Sequence, residues 1–237
     1  MVVAMRTSRA WERYAWAAGI VFVVALVAES VVATGVGLTQ DDSAAKIVSG
    51  LHEHRTRLLV IAYLSVVYAA SFLIYLCSLY NLLRGDTDRP RILCSLVLVG
   101  GALFITMHAV SDIGITGLLG AKLASFGSQH DPGIPYTLYL VTFALDSVGE
   151  VFGSLFAVAA GLLVIRSGVL PRWLGWVSIL VGGLFFFQAF GLGGVIASFG
   201  LVLEIIGFVL FLLFVIVSSV ILLTRENTVP STAAPIK

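Results

Sequence analysis

Six stretches of this chain each run for about twenty or more mainly apolar residues, and their shared length constrains the fold most. A helix rises about 1.5 Å per residue, so about twenty residues cross a hydrocarbon layer of ~30 Å. The stretches cover 16–36, 58–83, 92–119, 136–165, 173–194 and 197–223. Most are apolar on all sides, as helices facing lipid must be. The expectation is an all-α, polytopic membrane bundle of six transmembrane helices, with the lipid bilayer as its main partner.

Composition closes the other routes. Of 237 residues, 59% are apolar and 11% are charged, and mean hydropathy is +1.05. A soluble domain of this size cannot hide that much apolar surface. Disorder is excluded for the same reason. A net charge of +1 gives no reason to expect nucleic acid as a partner.

Turn chemistry separates the stretches. Pro90 is placed to open the third helix, and Pro132 and Pro135 flank the start of the fourth. Gly168 can end the fourth helix in a left-handed cap, and Pro171 can start the fifth. Gly191, Gly193 and Gly194 form a tight link to the sixth. The tail 225–237 reads as unstructured. A basic start and Val31-Val-Ala33 imitate a signal peptide, but the long apolar run and Glu29 favour a retained helix.

Six spans put both termini on one side. That side carries Arg6, Arg9, Arg13, Arg84, Arg89, Arg91, Arg166, Arg172, Arg225 and Lys237, ten basic residues. The other carries Lys46, Arg55, Arg57 and Lys122, four in all. Ten against four predicts an N-in/C-in protein of the plasma membrane, with residues 1–15 cytoplasmic. Trp11, Trp16, Trp173 and Trp176 are then expected as an inner aromatic belt. Cys77 and Cys94, near the cytoplasmic ends of adjacent spans, read as small packing residues.

The outer loop 37–57 predicts a short helix from about Ser43, capped by Asp41 or Asp42. Ile47, Val48 and Leu51 would share one face. It reads as a connector lying on the membrane, with a lid over the bundle mouth as the alternative.

The unusual feature is acidic. Glu29, Asp112, Asp146, Glu150 and Glu204 fall inside spans, and no Lys or Arg does. Each such acid costs roughly 2.5–3.5 kcal/mol near a helix centre, so they should avoid lipid. Counted from the outer ends, they and His108 lie about 10–21 Å down, on four helices. His108 and Asp112 are four residues apart on one helix, as are Asp146 and Glu150. The second pair should not ionise together in a low dielectric. Thr142, Asp146, Gly149, Glu150, Gly153 and Ala157 make a small and polar stripe, and Gly149 and Gly153 allow close helix approach. Gln188 adds a polar group in the fifth span.

Three readings follow. Glu29, His108, Asp112, Asp146, Glu150 and Glu204 could line an acidic cavity for a small polar or cationic ligand, with protonation of the carboxylates. His108, Asp112, Asp146 and Glu150 could hold a metal ion in a hydrolase acting on a lipid-type substrate. The acids could instead be protonated structural glue in a non-enzymatic scaffold or accessory subunit. The first is the expectation taken forward. No G-x-S-x-G, H-E-x-x-H or P-loop spacing is present.

Arg166-Ser-Gly-Val-Leu-Pro-Arg-Trp-Leu-Gly175 resembles the inter-helix turn of a bacterial integral-membrane family known only as domain of unknown function 4386. Glu29, the loop Asp41–Arg57, the ending Tyr80-Asn-Leu-Leu-Arg84 and Glu204 are similar too. The resemblance implies a six-span layout. It implies no activity and assigns no catalytic residue.

Overall fold

The structure is a computed structural model describing residues 2–39, 41–85, 90–123, 125, 131–189 and 197–228, without side chains for 2–12, 197–201, 204 and 225–228. Among the described residues it is all helical. Helix α1 spans Val2–Thr34, α2 Ala44–Glu53, α3 Arg55–Arg84 and α4 Arg91–Ala109. The third span then continues as π-helix, π1 over Val110–Thr116 and π2 over Leu119–Leu123. Helix α5 spans Gly133–Ser167, α6 Arg172–Ala189 and α7 Ala197–Thr228. Six helical segments are long and apolar enough to cross a membrane: Arg13–Thr34, Arg55–Arg84, Arg91–Leu123, Gly133–Ser167, Arg172–Ala189 and Ile205–Thr224.

Helix α5 packs on α4 and on α6, α1 packs on α3, and α7 closes against α1 and α6. Small residues set the closest approaches. A Cβ on Gly161 would meet the Gly175 carbonyl at 2.5 Å, and one on Gly182 the Ser154 carbonyl at 2.9 Å. Gly100 sits against the α5 backbone at Phe152 and Phe156, 3.0 Å from where its Cβ would stand. These are packing glycines of the kind membrane helices use. The core between helices is aromatic. Phe72 is fully buried and stacks within 5.0–6.1 Å of Phe22, Phe104, Phe156 and Phe211, which come from four other spans. Tyr75 shares a hydrogen bond of 2.7 Å with Ser218, so its buried hydroxyl is satisfied.

Several expectations are met in detail, and some are corrected. Gly168 is left-handed, at φ 65°, and its N–H donates to the Val164 carbonyl at 3.1 Å. Pro171 then precedes the first turn of α6. Pro90 caps α4. The outer helix is capped by Ser43, which accepts from the Lys46 N–H, rather than by Asp41 or Asp42. Asp42 instead accepts from the Thr39 N–H at 3.0 Å and from Lys46 Nζ at 2.6 Å. Ile47, Val48 and Leu51 are buried. Ile47 and Leu51 pack with Leu58 and Leu119, so α2 rests on the outer ends of the second and third spans. The Arg57 guanidinium donates to the Gly35 carbonyl and ties the end of α1 to the start of α3.

Trp16 does not join an interfacial belt. It is 5% exposed and meets Tyr75 edge-on. Trp173 and Trp176 are exposed as the belt requires, and the Trp11 side chain lies outside the described residues. Cys94 is buried and Cys77 is exposed, both as free thiols. The Gly191–Gly194 link and most of the tail lie outside the described residues.

Candidate functional site

His108 has acidic side chains of three spans within Coulomb reach. His108 is in the last turn of α4, where the helix is about to widen into π1. Its Nδ1 lies 2.9 Å from the Phe104 carbonyl. A carbonyl can only accept, so Nδ1 carries the proton of that bond. The other ring nitrogen, Nε2, faces Glu150 Oε1 at 3.7 Å. Gly149 makes this possible: a Cβ there would lie 2.7 Å from His108 Cε1 and Nδ1. The ring also packs on Phe104, with centroids 4.6 Å apart.

Asp112 lies four residues beyond His108, within π1. In a straight α-helix, residues four apart share a face. Here Asp112 sits in π1 and turns to the second span, where Tyr68 donates to its Oδ2 at 2.5 Å. His108 and Asp112 stay within Coulomb reach of each other, while each has its own closest polar neighbour, Glu150 and Tyr68. Such π segments are rare and gather at functional sites.

Asp146 and Glu150 lie on the inward stripe of α5 with Thr142, Gly149 and Gly153. Asp146 Oδ1 and Glu150 Oε2 are both buried without a hydrogen-bond partner. Glu29, half-buried on α1, stands within Coulomb reach of Asp112, Asp146 and His108. Asp146 likewise stands within reach of His108, Asp112 and Glu150. Of these acids Glu150 is the one in contact with the imidazole, at 3.7 Å, and Glu29, Asp112 and Asp146 act on it through space. The Glu204 side chain lies outside the described residues. Among the described residues, no three His, Cys, Asp or Glu form a group arranged to hold a metal ion.

A cavity of about 410 Å³ opens beside the cluster. Of the five residues singled out from sequence whose side chains are described, His108 and Glu150 line it. Its other polar groups are Ser30, Thr34, Tyr68 and Gln188. Its remaining wall is apolar and mainly aromatic, from Phe22, Phe104, Phe185, Phe208 and Phe211. Glu29, Asp112 and Asp146 stand outside this lining.

Sequence reading missed Tyr68 and the aromatic wall. A signal for Tyr68 existed, since it lies thirteen residues inside α3, too deep for an interfacial tyrosine. The aromatic residues gave none, because Phe is equally at home against lipid. The π segment had a faint signal in Gly114, Gly117 and Gly120, spaced at three rather than four.

A helical bundle with six membrane-length apolar helices and carboxylates turned inward defines a multi-pass membrane-type protein. The chain matches the family described as Domain of unknown function (DUF4386) over residues 18–224, and it belongs to that family. No curated protein and no solved structure matches it.

Proposed function

We propose that this is a multi-pass protein of the bacterial plasma membrane with both termini cytoplasmic. Its outer-half site binds or passes a small polar or cationic ligand, and protons move on and off the carboxylates as it does so. One observation carries the reading: His108 faces Glu150 at 3.7 Å with Glu29, Asp112 and Asp146 within Coulomb reach, while Lys and Arg stand only near the ends of the spans. Intramembrane acids that serve only as glue have no need to share a depth. Glu204 is part of the proposed site through its matching position in the sixth span. The orientation rests on ten basic residues on one side against four on the other.

The test is proton exchange. Purified protein in nanodiscs should take up or release protons when sodium, potassium or ammonium salts are added, and Asp146→Asn and Glu150→Gln should each reduce the signal. An identical null for wild type and both variants overturns the reading. Elemental analysis of the same preparation tests the metal-dependent hydrolase built on His108, Asp112, Asp146 and Glu150: no stoichiometric metal ends it.

A second reading has one observation in its favour. Tyr68 satisfies Asp112 at 2.5 Å, as structural glue in a scaffold or accessory subunit would. It does not account for Asp146 Oδ1 and Glu150 Oε2, which have no partner.

A further inference from the structure

We propose that the cavity beside Glu150 is a binding site for an organic ammonium ion, a primary or secondary amine carrying a compact apolar body. This rests on the ligand-binding reading above and names its ligand class.

The wall decides the body of the ligand. The rings of Phe104, Phe185 and Phe211 stand 5.5–5.8 Å apart around one end of the cavity. Phe22 extends this surface, 5.9 Å from Phe211 and 6.2 Å from Tyr68. Ring faces attract a cation within about 6 Å of their centroids, and most strongly where water is absent. They also give an apolar body its burial. A volume of about 410 Å³ lies in the range of small-molecule sites, roughly 300–1,000 Å³.

The unused polar atoms decide the head group. Most polar groups on the wall are already occupied. Ser30 donates to the Leu26 carbonyl at 2.9 Å and Thr34 to the Val31 carbonyl at 2.7 Å. Tyr68 donates to Asp112, and His108 Nδ1 is held by Phe104. Two buried atoms on lining residues lack a partner: Glu150 Oε2 and Gln188 Oε1. A carboxylate oxygen and an amide oxygen both accept, so the missing partner is a donor. A buried acceptor without a donor is unfavourable, and a bound N–H group would relieve it. Two acceptors are too few for calcium, which takes about 6–8 oxygens. They suit an ammonium with two N–H groups. The sign follows from the carboxylate of Glu150 itself and from Asp146 within Coulomb reach of it, which favour a cation, while Lys and Arg stand only near the span ends and a proton on His108 would work against one.

A matched series tests this. Nanodisc-reconstituted protein is titrated calorimetrically with 4-phenylbutylamine, 4-phenylbutanol and 4-phenylbutyrate, each corrected by empty nanodiscs. The three share one apolar body and differ only in the head. The amine should bind at least about tenfold more tightly than the alcohol, the scale of one charge-assisted hydrogen bond. The carboxylate should bind least. Glu150→Gln should abolish the preference for amine over alcohol. Gln188→Leu should weaken the amine several-fold and leave the alcohol nearly unchanged. Phe185→Leu should weaken both. Equal binding of amine and alcohol, or an amine preference that survives in folded Glu150→Gln, overturns the ammonium assignment and leaves a ligand cavity standing. If no phenylbutyl compound binds but inorganic cations still drive proton exchange, the assignment falls and the broader reading survives. If neither occurs, both fall.

Discussion

Gly149 passes so close to His108 that a methyl group on it would stand 2.7 Å from two atoms of the imidazole ring. The glycine is therefore the space in which the histidine sits. Without that space His108 could not keep both its bond to the Phe104 carbonyl and its approach to Glu150. Gly149→Ala should push the ring away or part α4 from α5. Overpacking of this kind costs typically about 1–3 kcal/mol. Thermal unfolding in nanodiscs should show a lower midpoint, and the imidazole resonances should shift. An unchanged midpoint together with unchanged resonances would show that the ring is not held there.

Tyr68 and Asp112 join the second and third spans through one hydrogen bond of 2.5 Å. Such bonds between membrane helices average roughly 0.6 kcal/mol and reach about 1.7 kcal/mol, because unfolded spans also find partners. Tyr68→Phe should therefore lower stability by about 1 kcal/mol while leaving the fold intact. Asp112→Asn keeps an acceptor for the phenol and should cost less. The Tyr68→Phe, Asp112→Leu double variant should cost less than the sum of its parts, since the orphaned partner is removed too. Strict additivity would show that the two groups do not interact.

At the surface, the outer helix is fastened by a different pair. Asp42 accepts from Lys46 Nζ and from the Thr39 N–H. The bond from Lys46, first, and that from Thr39 hold the Asp42 carboxyl below its ordinary value of 3.8. A lowered folded value means that the bond stabilises α2 above the unfolded value and is lost as pH falls through the folded one. Protection factors of the α2 amides, corrected for intrinsic exchange at each pH, should thus be steady from neutrality down to about pH 4 and fall below it. Asp42→Asn should show at neutral pH the lower protection that wild type reaches only in acid. A pH-independent difference between the two proteins would rule this out.

How much of this was legible beforehand depends on the kind of force involved. The six spans were legible because length and polarity are properties of the sequence itself, and the bilayer enforces both. The left-handed Gly168 was legible because its conformation is local. The shared depth expected of Glu29, Asp112, Asp146 and Glu150 came from one rise per residue, which applies to every helix. The Tyr68–Asp112 bond was not legible, because it depends on how π1 packs against the second span. Trp16 was misjudged for a related reason. A tryptophan near the end of a span suits the interface and the core equally, and only Tyr75 on the neighbouring helix decides between them.

The π segments rest on glycines that differ sharply in their surroundings, which gives a test with its own control. A Cβ on Gly120 would lie 2.7 Å from Leu58 Cβ and 3.3 Å from the Arg55 carbonyl, and one on Gly117 would lie 3.1 Å from Ala62 Cβ. Gly114 has nothing within 4 Å. The third span can therefore lie against the second only where residues 117 and 120 lack side chains. Gly120→Ala should force Leu58 or the backbone of α3 to move, at a cost of about 1–3 kcal/mol. Gly114→Ala meets no obstacle and should be neutral or stabilising by up to about 1 kcal/mol, through the reduced freedom of the unfolded chain. The displaced third span in Gly120→Ala should also weaken the Tyr68–Asp112 bond, so adding Tyr68→Phe should cost less there than in wild type. Equal destabilisation by Gly114→Ala and Gly120→Ala would mean that glycine flexibility, rather than close approach to the second span, maintains this stretch.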